Sequence, residues 1–596
     1  MHQVPIIRQV REALQVCLSE TFSWNGTADS LVINQTKPEF EGDLTLVLFG
    51  LAKSMGQSPD QIGQLLGEKL VNNYPDLFSA FQLVKGFLNL SIPDAKWLLA
   101  FDEQCTDTPL VHPSAQQQRI MVEYSSPNTN KPLHLGHLRN IFLGWSMSAI
   151  LKKSGHEVVK SCVVNDRGIH ICKSMIAWER FSNGETPAST GMKGDHFVGH
   201  YYVLFNEAYK KEVTELMASG LTKEKAETEA PIMKATQQML LDWERGEEKT
   251  ISLWKRMNEW VYEGFNQTYN RIGADFQKMY YESETYLLGK EFVEAGLNDG
   301  VFFRKPDGSV WIDLTADGLD EKLVLRKDGT SVYITQDLGL AQQKHDEFKY
   351  DQSIYVIADE QNYHMKVLKL ILQKLGKSYA DGIHHLSYGM VELPTGRMKS
   401  REGTVVDADD ITDEMVSVAC KKTEELGKVK DFTAEELREL YDTLALGALK
   451  FYLLRVDPKK KMIFNPEESI DFQGFTGPFI QYTHARIKSI LRKIEHTSKS
   501  DVAASSSLLP REKEMLVLLG QYSDQVHQAA AEQNPSVIAN YTFLLAKSFN
   551  GFYAEHSVMQ AESDEKRSLR VRICERTSAI LSDAMGLLGI RVPERM

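Results

Sequence analysis

The spacing of hydrophobic residues changes twice along the chain and predicts three regions. Residues 1–112 combine helical spacing with short strand-like runs, which indicates a small α+β domain. Residues 118–430 alternate short apolar runs with amphipathic segments, a rhythm typical of βαβ units around a parallel sheet. Over residues 431–596 the strand signals cease and amphipathic helices follow one another, so an all-α bundle is expected. The predicted fold class is therefore α/β, with an α+β domain before it and a helical domain after it.

Particular elements follow from the same patterns. The segment 137–155 has an apolar stripe at helical spacing and ends at a glycine, so it predicts an amphipathic helix. The segment 44–56 also predicts a helix. Strands are expected at 119–126, 156–166, 331–335 and 353–359. Between about 180 and 300 the alternation breaks into charged helical sequence, which indicates an insertion into the sheet domain.

Composition and charge exclude several classes of protein. The chain has 596 residues, 42% of them hydrophobic and 25% charged, which suits several ordinary globular cores. Its net charge of −13 excludes nucleic-acid binding by bulk charge, so any RNA must meet local basic patches. The six cysteines form no CxxC pair, which favours a reducing cytoplasm and indicates no structural metal site. No apolar run reaches the roughly 18 residues of a membrane span.

The tetrapeptide His134-Leu135-Gly136-His137 lies just after a predicted strand, at the start of a predicted helix. A helix N-terminus offers unpaired N–H groups and roughly half a positive charge, which suits a phosphate. Two imidazoles add ring donors, and the glycine leaves room for a flat base. The alternative is a helix start that happens to contain two histidines. The preceding strand and the segment Ser126-Pro127-Asn128 count against it.

This tetrapeptide resembles the HIGH signature of class I aminoacyl-tRNA synthetases. Its surroundings, VEYSSPN…K…HLGHLRN, are similar to the arginyl-tRNA synthetase version, and the resemblance covers nearly the whole chain. It implies a Rossmann-type catalytic domain over 118–430, with the insertion as a connective segment. It also implies an additional tRNA-binding domain over 1–112. The segment 476–487, TGPFIQYTHARI, is similar to the anticodon-binding bundle implied for 431–596.

The resemblance also implies a pocket for L-arginine. It assigns arginine binding to Glu123, Ser126, Asn128, Tyr333, Asp337 and Gln361. Such a pocket suits arginine because a planar guanidinium accepts forked carboxylate contacts that a lysine ammonium would leave unpaired. Asp337 and Gln361 are expected where a sheet strand gives way to its helix, the ligand edge of an open α/β sheet. Taken singly, Glu123 and Asp337 also fit surface carboxylates at strand ends.

A second signature of the family, KMSKS, is altered in this chain. The segment 396–403 reads GRMKSREG, and alignment on Met398 puts Ser400 where the second lysine stands. The resemblance assigns ATP binding to His134, Gly136, His137, Met398, Lys399 and Ser400. It makes His134 and His137 catalytic donors. The cation that neutralises the transition state stays open between Lys131, Lys399 and Arg401, and a plain charged turn at 396–403 is the alternative.

The implied reaction is ATP-dependent activation of arginine to arginyl-adenylate, followed by transfer to tRNA(Arg). The resemblance implies Mg²⁺ with the nucleotide, no protein-bound metal, no DNA or membrane partner, a monomer, and tRNA present during activation. Cations expected to contact tRNA are Arg486, Lys488 and Arg492. Two other interpretations remain. One is a different HxGH nucleotidyltransferase, such as a cytidylyltransferase, although those chains are usually much shorter. The other is a catalytically silent RNA-binding paralogue, which the altered second signature alone supports.

Overall fold

The structure is a computed structural model that describes residues 6–37, 39–105, 109–394, 406–426, 431–494 and 507–596. Within these ranges, no helix combines the length and the apolar character that a membrane span requires. The described residues form an N-terminal α+β region, a central region around a parallel sheet, and a C-terminal helical region.

The N-terminal region is a four-stranded antiparallel sheet covered by helices, with strand order β1-β2-β4-β3. Its strands are β1 (Ile33–Gln35), β2 (Leu44–Val47), β3 (Ala80–Val84) and β4 (Phe87–Ser91). Its helices are α1 (Ile6–Phe22), α2 (Phe49–Met55), α3 (Pro59–Asn73) and α4 (Asp94–Cys105). The predicted helix over 44–56 is wrong in its first half. Those residues pair with two strands, and Thr45 donates to Asn89 across the sheet at 2.7 Å.

The central region is built on five parallel strands in the order β12-β11-β5-β6-β7. These strands are β5 (Arg119–Glu123), β6 (Glu157–Val164), β7 (Lys278–Tyr281), β11 (Gln352–Ala358) and β12 (Ile383–Tyr388). A small antiparallel sheet contains β8 (Phe303–Arg304), β9 (Val310–Ile312) and β10 (Lys322–Leu325), and β13 (Val391–Glu392) pairs with β14 (Met462–Ile463). The chain leaves β5 toward β6 on one side and later returns to β11 on the other. Such a switch in direction opens a crevice at the carboxyl ends of the strands.

Helices surround this sheet and extend from it. Before β11 they are α5 (Leu135–Lys153), α6 (Ile169–Phe181), α7 (Pro187–Thr190), α8 (Gly194–Ala218), α9 (Lys223–Glu229), α10 (Pro231–Glu244), α11 (Glu248–Ile272), α12 (Glu282–Thr285), α13 (Lys290–Asn298) and α14 (Tyr333–Phe348). After β11 they are α15 (Asn362–Lys374) and α16 (Ala408–Leu426). Thus α7 to α11 occupy the predicted insertion, while β7, within the same range, is the edge strand of the parallel sheet.

The predicted strand at 331–335 is wrong, because Tyr333 begins helix α14. The β-branched run suggested a strand, and a short apolar run does not distinguish the two by periodicity. The hydroxyl of Thr335 accepts the Val332 N–H at 3.4 Å and donates to the Val324 carbonyl. These bonds satisfy a free amide of the first turn and tie the helix start to β10.

The C-terminal region is helical and packs against α5. Its helices are α17 (Ala434–Leu454), α18 (Pro466–Ser469), α19 (Gly477–Arg492), α20 (Pro510–Gly520), α21 (Tyr522–Ala531), α22 (Ser536–Glu555) and α23 (Asp564–Leu587). Lys153 near the end of α5 pairs with Asp583 of α23 at 2.6 Å. The helix that begins with the HxGH segment is therefore held by the sheet on one side and by the helical region on the other.

Candidate active site

His134 and His137 form the tip of helix α5. His134 is the N-cap residue, and its Nδ1 accepts the Gly136 N–H at 3.1 Å. The His134 N–H in turn donates to His137 Nδ1 at 3.1 Å, and the two ring centroids are 3.8 Å apart. Glycine suits position 136, since a Cβ there would lie 3.0 Å from His134 Cε1 and the ring would have to shift. The sequence thus folds into a reciprocal cap that uses imidazoles in place of the usual hydroxyl and carboxylate.

Both imidazoles are neutral donors. Burial lowers the pKa of His134 to about 4, with a further contribution from the charge of Lys131. Burial likewise holds the pKa of His137 well below its usual value, again helped by neighbouring positive charge. Because each Nδ1 accepts a backbone N–H, the single ring proton is placed on Nε2. Each ring therefore presents an Nε2–H donor.

Lys131 adds an ammonium to the same place. Its charge lowers the pKa of His134, His137 and His170. Its own pKa is lowered by partial burial. Among the described residues it has no carboxylate partner within ion-pair distance. A half-buried ammonium beside two N–H donors and a helix N-terminus is a site for an anion.

The loop between β5 and α5 is held in a strained conformation. Ser125 and Ser126 have φ values of +77° and +46°, a left-handed region that L-residues rarely adopt. Asn140 of α5 holds this loop, accepting the Ser125 N–H at 2.6 Å while its own amide donates to the Val356 carbonyl of β11 at 2.6 Å. Strain of this kind costs of order 1–3 kcal/mol per residue and is concentrated at functional sites.

Glu123 ends β5 as a buried carboxylate. It pairs with Lys344 of α14, and the two side chains are only 8% and 1% exposed. The Lys344 ammonium also lies over the rings of Tyr355 and Tyr280, at 4.8 Å and 5.6 Å from their centroids. Only Oε2 of Glu123 is used in this pair, and Oε1 accepts no hydrogen bond from the described residues. The Lys344 ammonium thus fixes the position of the Glu123 carboxylate and balances its charge.

Asp337 lies one turn inside α14, not at the end of a sheet strand, so that part of the prediction is wrong. Its carboxylate contacts His364 Nε2 of α15 at 2.6 Å and is 40% exposed. This contact raises the pKa of His364 above its usual value. Burial raises the pKa of Tyr355, and the charges of Glu123 and Asp337 raise it further.

The other residues assigned to arginine lie at the rim of the crevice. Gln361 follows β11 where the strand gives way to α15, as predicted. Tyr333 is 76% exposed. Asn128 is exposed beside the end of β6, where it forms a parallel bridge with Asn165. The side chains of these three residues have no hydrogen-bond partner in the part of the chain that the structure describes, so each is available to a ligand.

The second signature segment contains Met398, Lys399, Ser400 and Arg401, and these four residues lie outside the described ones. The chain is described again from Val406, and there it meets the tip of α5. The Leu135 N–H donates to the Val406 carbonyl at 2.9 Å, and the Ala408 N–H donates to the Leu133 carbonyl at 3.0 Å. The backbone shortly after the second signature segment is therefore hydrogen-bonded to the start of the HxGH helix.

The three cations predicted to contact tRNA already contact protein groups. Arg486 donates to Asn550 at 2.5 Å and lies over the Tyr482 ring. Lys488 pairs with Glu594 at 3.1 Å, and Arg492 donates to the Glu594 carbonyl at 3.1 Å. Arg486 thus connects helix α19 to α22, and Lys488 and Arg492 hold α19 against the C-terminal segment. Their contact with RNA stays a prediction.

Several residues that shape the site were not assigned from the sequence. Lys344, His364 and Asn140 all act through partners far away along the chain; Lys344 and Glu123, for example, are 221 residues apart. No spacing rule connects residues at such separations. The single local signal was an arginine and an asparagine, Arg139 and Asn140, two and three residues after the second histidine of the HxGH segment.

Fold and site together define the class. A parallel sheet whose central strand leads into an HxGH helix tip, followed by an all-α region, is the arrangement of a class I aminoacyl-tRNA synthetase. A family model described as tRNA synthetases class I (R), catalytic domain, matches residues 105–465. The arginyl tRNA synthetase N terminal domain matches residues 8–92, and the DALR anticodon binding domain matches residues 480–596.

The chain belongs to the arginyl-tRNA synthetase family. The arginine–tRNA ligase of Flavobacterium psychrophilum is 51% identical over 583 residues, 96% of each chain. That of Bacteroides thetaiotaomicron is 50% identical over 569 residues, 95% of each. The solved Thermus thermophilus arginyl-tRNA synthetase superposes with a TM-score of 0.82 at 25% identity, over 99% of this chain and 100% of that one. The resemblance seen in the sequence is thereby confirmed.

Proposed function

We propose that this arginine–tRNA ligase carries out its chemistry in the crevice at the carboxyl ends of β5 and β11. One end of the crevice takes the nucleotide and the other takes arginine. The nucleotide end consists of Lys131, His134 and His137, and the arginine end is centred on Glu123 and Asp337. The arginine carboxylate attacks the α-phosphorus of ATP, and pyrophosphate leaves. The terminal hydroxyl of tRNA(Arg) then attacks the acyl carbonyl of the adenylate, and AMP leaves.

At the nucleotide end, the protein supplies position and charge. The two Nε2–H groups donate to phosphate oxygens, and the α5 N-terminus and the Lys131 ammonium offset the charge that develops. None of these groups changes its protonation state, since the imidazoles are already neutral. Lys131 is the cation we favour for the role left open by the altered second signature. Gly136, Met398, Lys399 and Ser400 complete the proposed ATP site, with Arg401 beside them.

At the arginine end, the carboxylates recognise the cationic groups of the amino acid. Asp337 offers a partly exposed carboxylate for a forked guanidinium contact, and Glu123 offers Oε1 from a fixed position. Ser126, Asn128, Tyr333 and Gln361 surround them at the rim. Lysine would leave such acceptors partly unpaired, and polar pockets of this kind reject analogues by about 10⁴–10⁵-fold without editing.

The remaining assignments concern partners. Mg²⁺ is part of the nucleotide substrate, where it screens the pyrophosphate, and the protein itself holds no structural metal. We propose that the N-terminal region and the cations Arg486, Lys488 and Arg492 contact tRNA, with no DNA partner. We further propose a monomer that works in the cytoplasm and needs tRNA for arginine activation.

The observation that supports this proposal is the HxGH tip, whose two Nε2–H donors and neighbouring Lys131 ammonium have no partner among the described residues. ATP–pyrophosphate exchange, measured with each amino acid and with or without tRNA, tests it. We expect exchange with arginine alone, and only when tRNA is present. Exchange driven by lysine, glutamate or cysteine but not by arginine would contradict the proposal. Absence of any exchange, with tRNA still bound, would favour the silent paralogue.

A further inference from the structure

Helix α8 of the insertion packs against the residues just before the HxGH segment. Gly199 of α8 packs on Pro132 so closely that a Cβ there would lie 2.9 Å from its Cδ and 3.7 Å from the Lys131 Cα. At the start of the same helix, a Cβ on Gly194 would lie 1.9 Å from the Trp260 carbonyl oxygen of α11. The α8 N-terminus therefore has little freedom to move between α11 and the segment that carries Lys131.

Lys193 connects this helix start to α16. Its ammonium pairs with Asp195 at 3.1 Å and with Asp409 at 2.6 Å, and it donates to the Thr268 hydroxyl of α11 at 2.5 Å. Asp195 is fully buried, and Lys193 and Asp409 are 16% and 18% exposed in their side chains. An ammonium held by three partners in such burial fixes three elements relative to one another.

His196 extends the connection to the tip of α5. Its Nε2 lies 3.1 Å from Asp407 and 3.5 Å from Asp409. Asp407 caps α16, accepting the N–H groups of Asp409 and Asp410 at 2.8 Å and 3.2 Å, and its backbone forms an antiparallel bridge with His134. A single residue, Asp407, thus connects His196 of the insertion to His134, whose imidazole is assigned to the nucleotide.

These groups do not form a free cation site. The ligand atoms of Asp195, His196 and Asp409 lie within 4.8 Å of one another, which is close enough for a metal ion. The Lys193 ammonium, however, already pairs with both carboxylates. Its positive charge balances the two carboxylates in place of a metal ion, so the cluster serves as a structural connection between elements.

We propose that Lys193 and His196 are positioning residues through which the insertion fixes the nucleotide end of the active site. They act through Asp407 and Asp409, which hold the 406–410 segment against Leu133, His134 and Leu135. The proposal rests on the assignment of His134 and His137 to ATP. It gives the insertion a role in ATP use and none in the recognition of arginine.

The charges around His196 add a dependence on pH. Its imidazole faces Asp407 and Asp409 of the α16 start, with Asp195 and Lys193 of the α8 start beside it. Burial is the largest single influence on the pKa of His196 and lowers it, but the close contact with Asp407 and the charges of Asp407 and Asp195 together outweigh it, so the pKa is raised. The ion pair is therefore complete below the usual value of 6.5 and is lost as pH rises through the shifted value. The catalytic efficiency for ATP should decline over that range.

The test is steady-state exchange with the full-length enzyme and tRNA, with ATP and arginine varied separately. The variants are Lys193→Met, Lys193→Arg and His196→Gln. The control Lys223→Met removes an exposed pair with Glu227 in the same insertion. For Lys193→Met we expect about a tenfold loss of kcat/KM for ATP. The KM for arginine should match the control, and Lys193→Arg should restore most of the loss. The thermal midpoint of Lys193→Met should fall below that of the control, because the buried Asp195 loses its partner. His196→Gln should remove the alkaline decline.

Two results would overturn the inference. One is an equal loss of efficiency for ATP and arginine, which would indicate a purely structural role. The other is no change in either substrate. His137→Asn, measured in parallel, separates the underlying assignments. If it leaves ATP use intact, the ATP assignment fails and the inference with it; if it impairs ATP use while Lys193→Met does not, the inference alone fails.

Discussion

The nucleotide end and the arginine end of the crevice differ in how their polar groups are paired before a substrate arrives. At the nucleotide end, His134 and His137 are neutral, and Lys131 has no carboxylate partner among the described residues. At the arginine end, both carboxylates already have partners: Lys344 for Glu123, and for Asp337 the imidazole of His364, which is cationic when protonated. The nucleotide end therefore presents donors that can bind an anion directly. At the arginine end, the carboxylates stay paired within the protein until a cationic ligand replaces or joins the internal partner.

On the proposed assignment, this difference suits the charge of each substrate. ATP carries several negative charges, so an unpaired ammonium and a helix N-terminus gain an interaction with no internal bond to break. A pair of unbalanced carboxylates beside a buried sheet would instead be protonated or would repel each other. Internal cations keep them ionised. They also make arginine binding a competition with groups of the protein.

The largest expected effect comes from breaking the buried pair of the arginine end. Lys344→Met leaves the Glu123 carboxylate without its partner. We expect the free energy of unfolding to fall by about 3–5 kcal/mol, the typical cost of an uncompensated buried charge. Denaturant titration measures it. The matched control is Lys234→Met, which removes an exposed pair with Glu229 and should cost less than about 1 kcal/mol. Equal losses of unfolding free energy in the two variants would show that the buried Glu123–Lys344 pair stabilises the protein no more than an exposed pair does.

The next largest effect concerns the donors of the nucleotide end. His137→Asn can retain the acceptor for the His134 N–H but has no Nε2–H. We expect kcat for exchange to fall about 10²–10³-fold, as for loss of one donor to transition-state charge. The thermal midpoint should stay close to wild type. His137→Gln, whose amide nitrogen reaches further, should recover part of the rate. A large loss of stability with little kinetic effect would instead identify a packing histidine.

A smaller effect should appear as a pH dependence of arginine use. The pKa of His364 is raised by Asp337, so at low pH the protonated ring holds that carboxylate and arginine must displace it. As pH rises through the shifted pKa, the pair is lost and the KM for arginine should fall, by up to about tenfold per pH unit. His364→Gln should flatten the profile. A wild-type KM for arginine that is independent of pH would contradict this competition.

The sequence predicts the nucleotide end better than the arginine end. The HxGH tip is formed by consecutive residues between a strand and an amphipathic helix, so its geometry follows from local rules. The arginine end depends on pairs between residues that are far apart along the chain. Nothing in the sequence distinguishes Lys344 from other helix lysines, because only the tertiary structure brings α14 to Glu123 at the end of β5. The strand predicted at 331–335 failed for the same reason. Its β-branched residues favour a strand, but the bond of Thr335 to Val324 places them at a helix start.

The charge state of His134 and His137 is the central claim, and ¹⁵N NMR of labelled histidine tests it most directly. Signals of the two rings are assigned by His134→Asn and His137→Asn, and the ring nitrogens are followed as pH is lowered from about 8 to about 6. We predict that both rings remain neutral with the proton on Nε2 throughout. A ring that gains a proton over this range, or that carries its proton on Nδ1, would contradict the account.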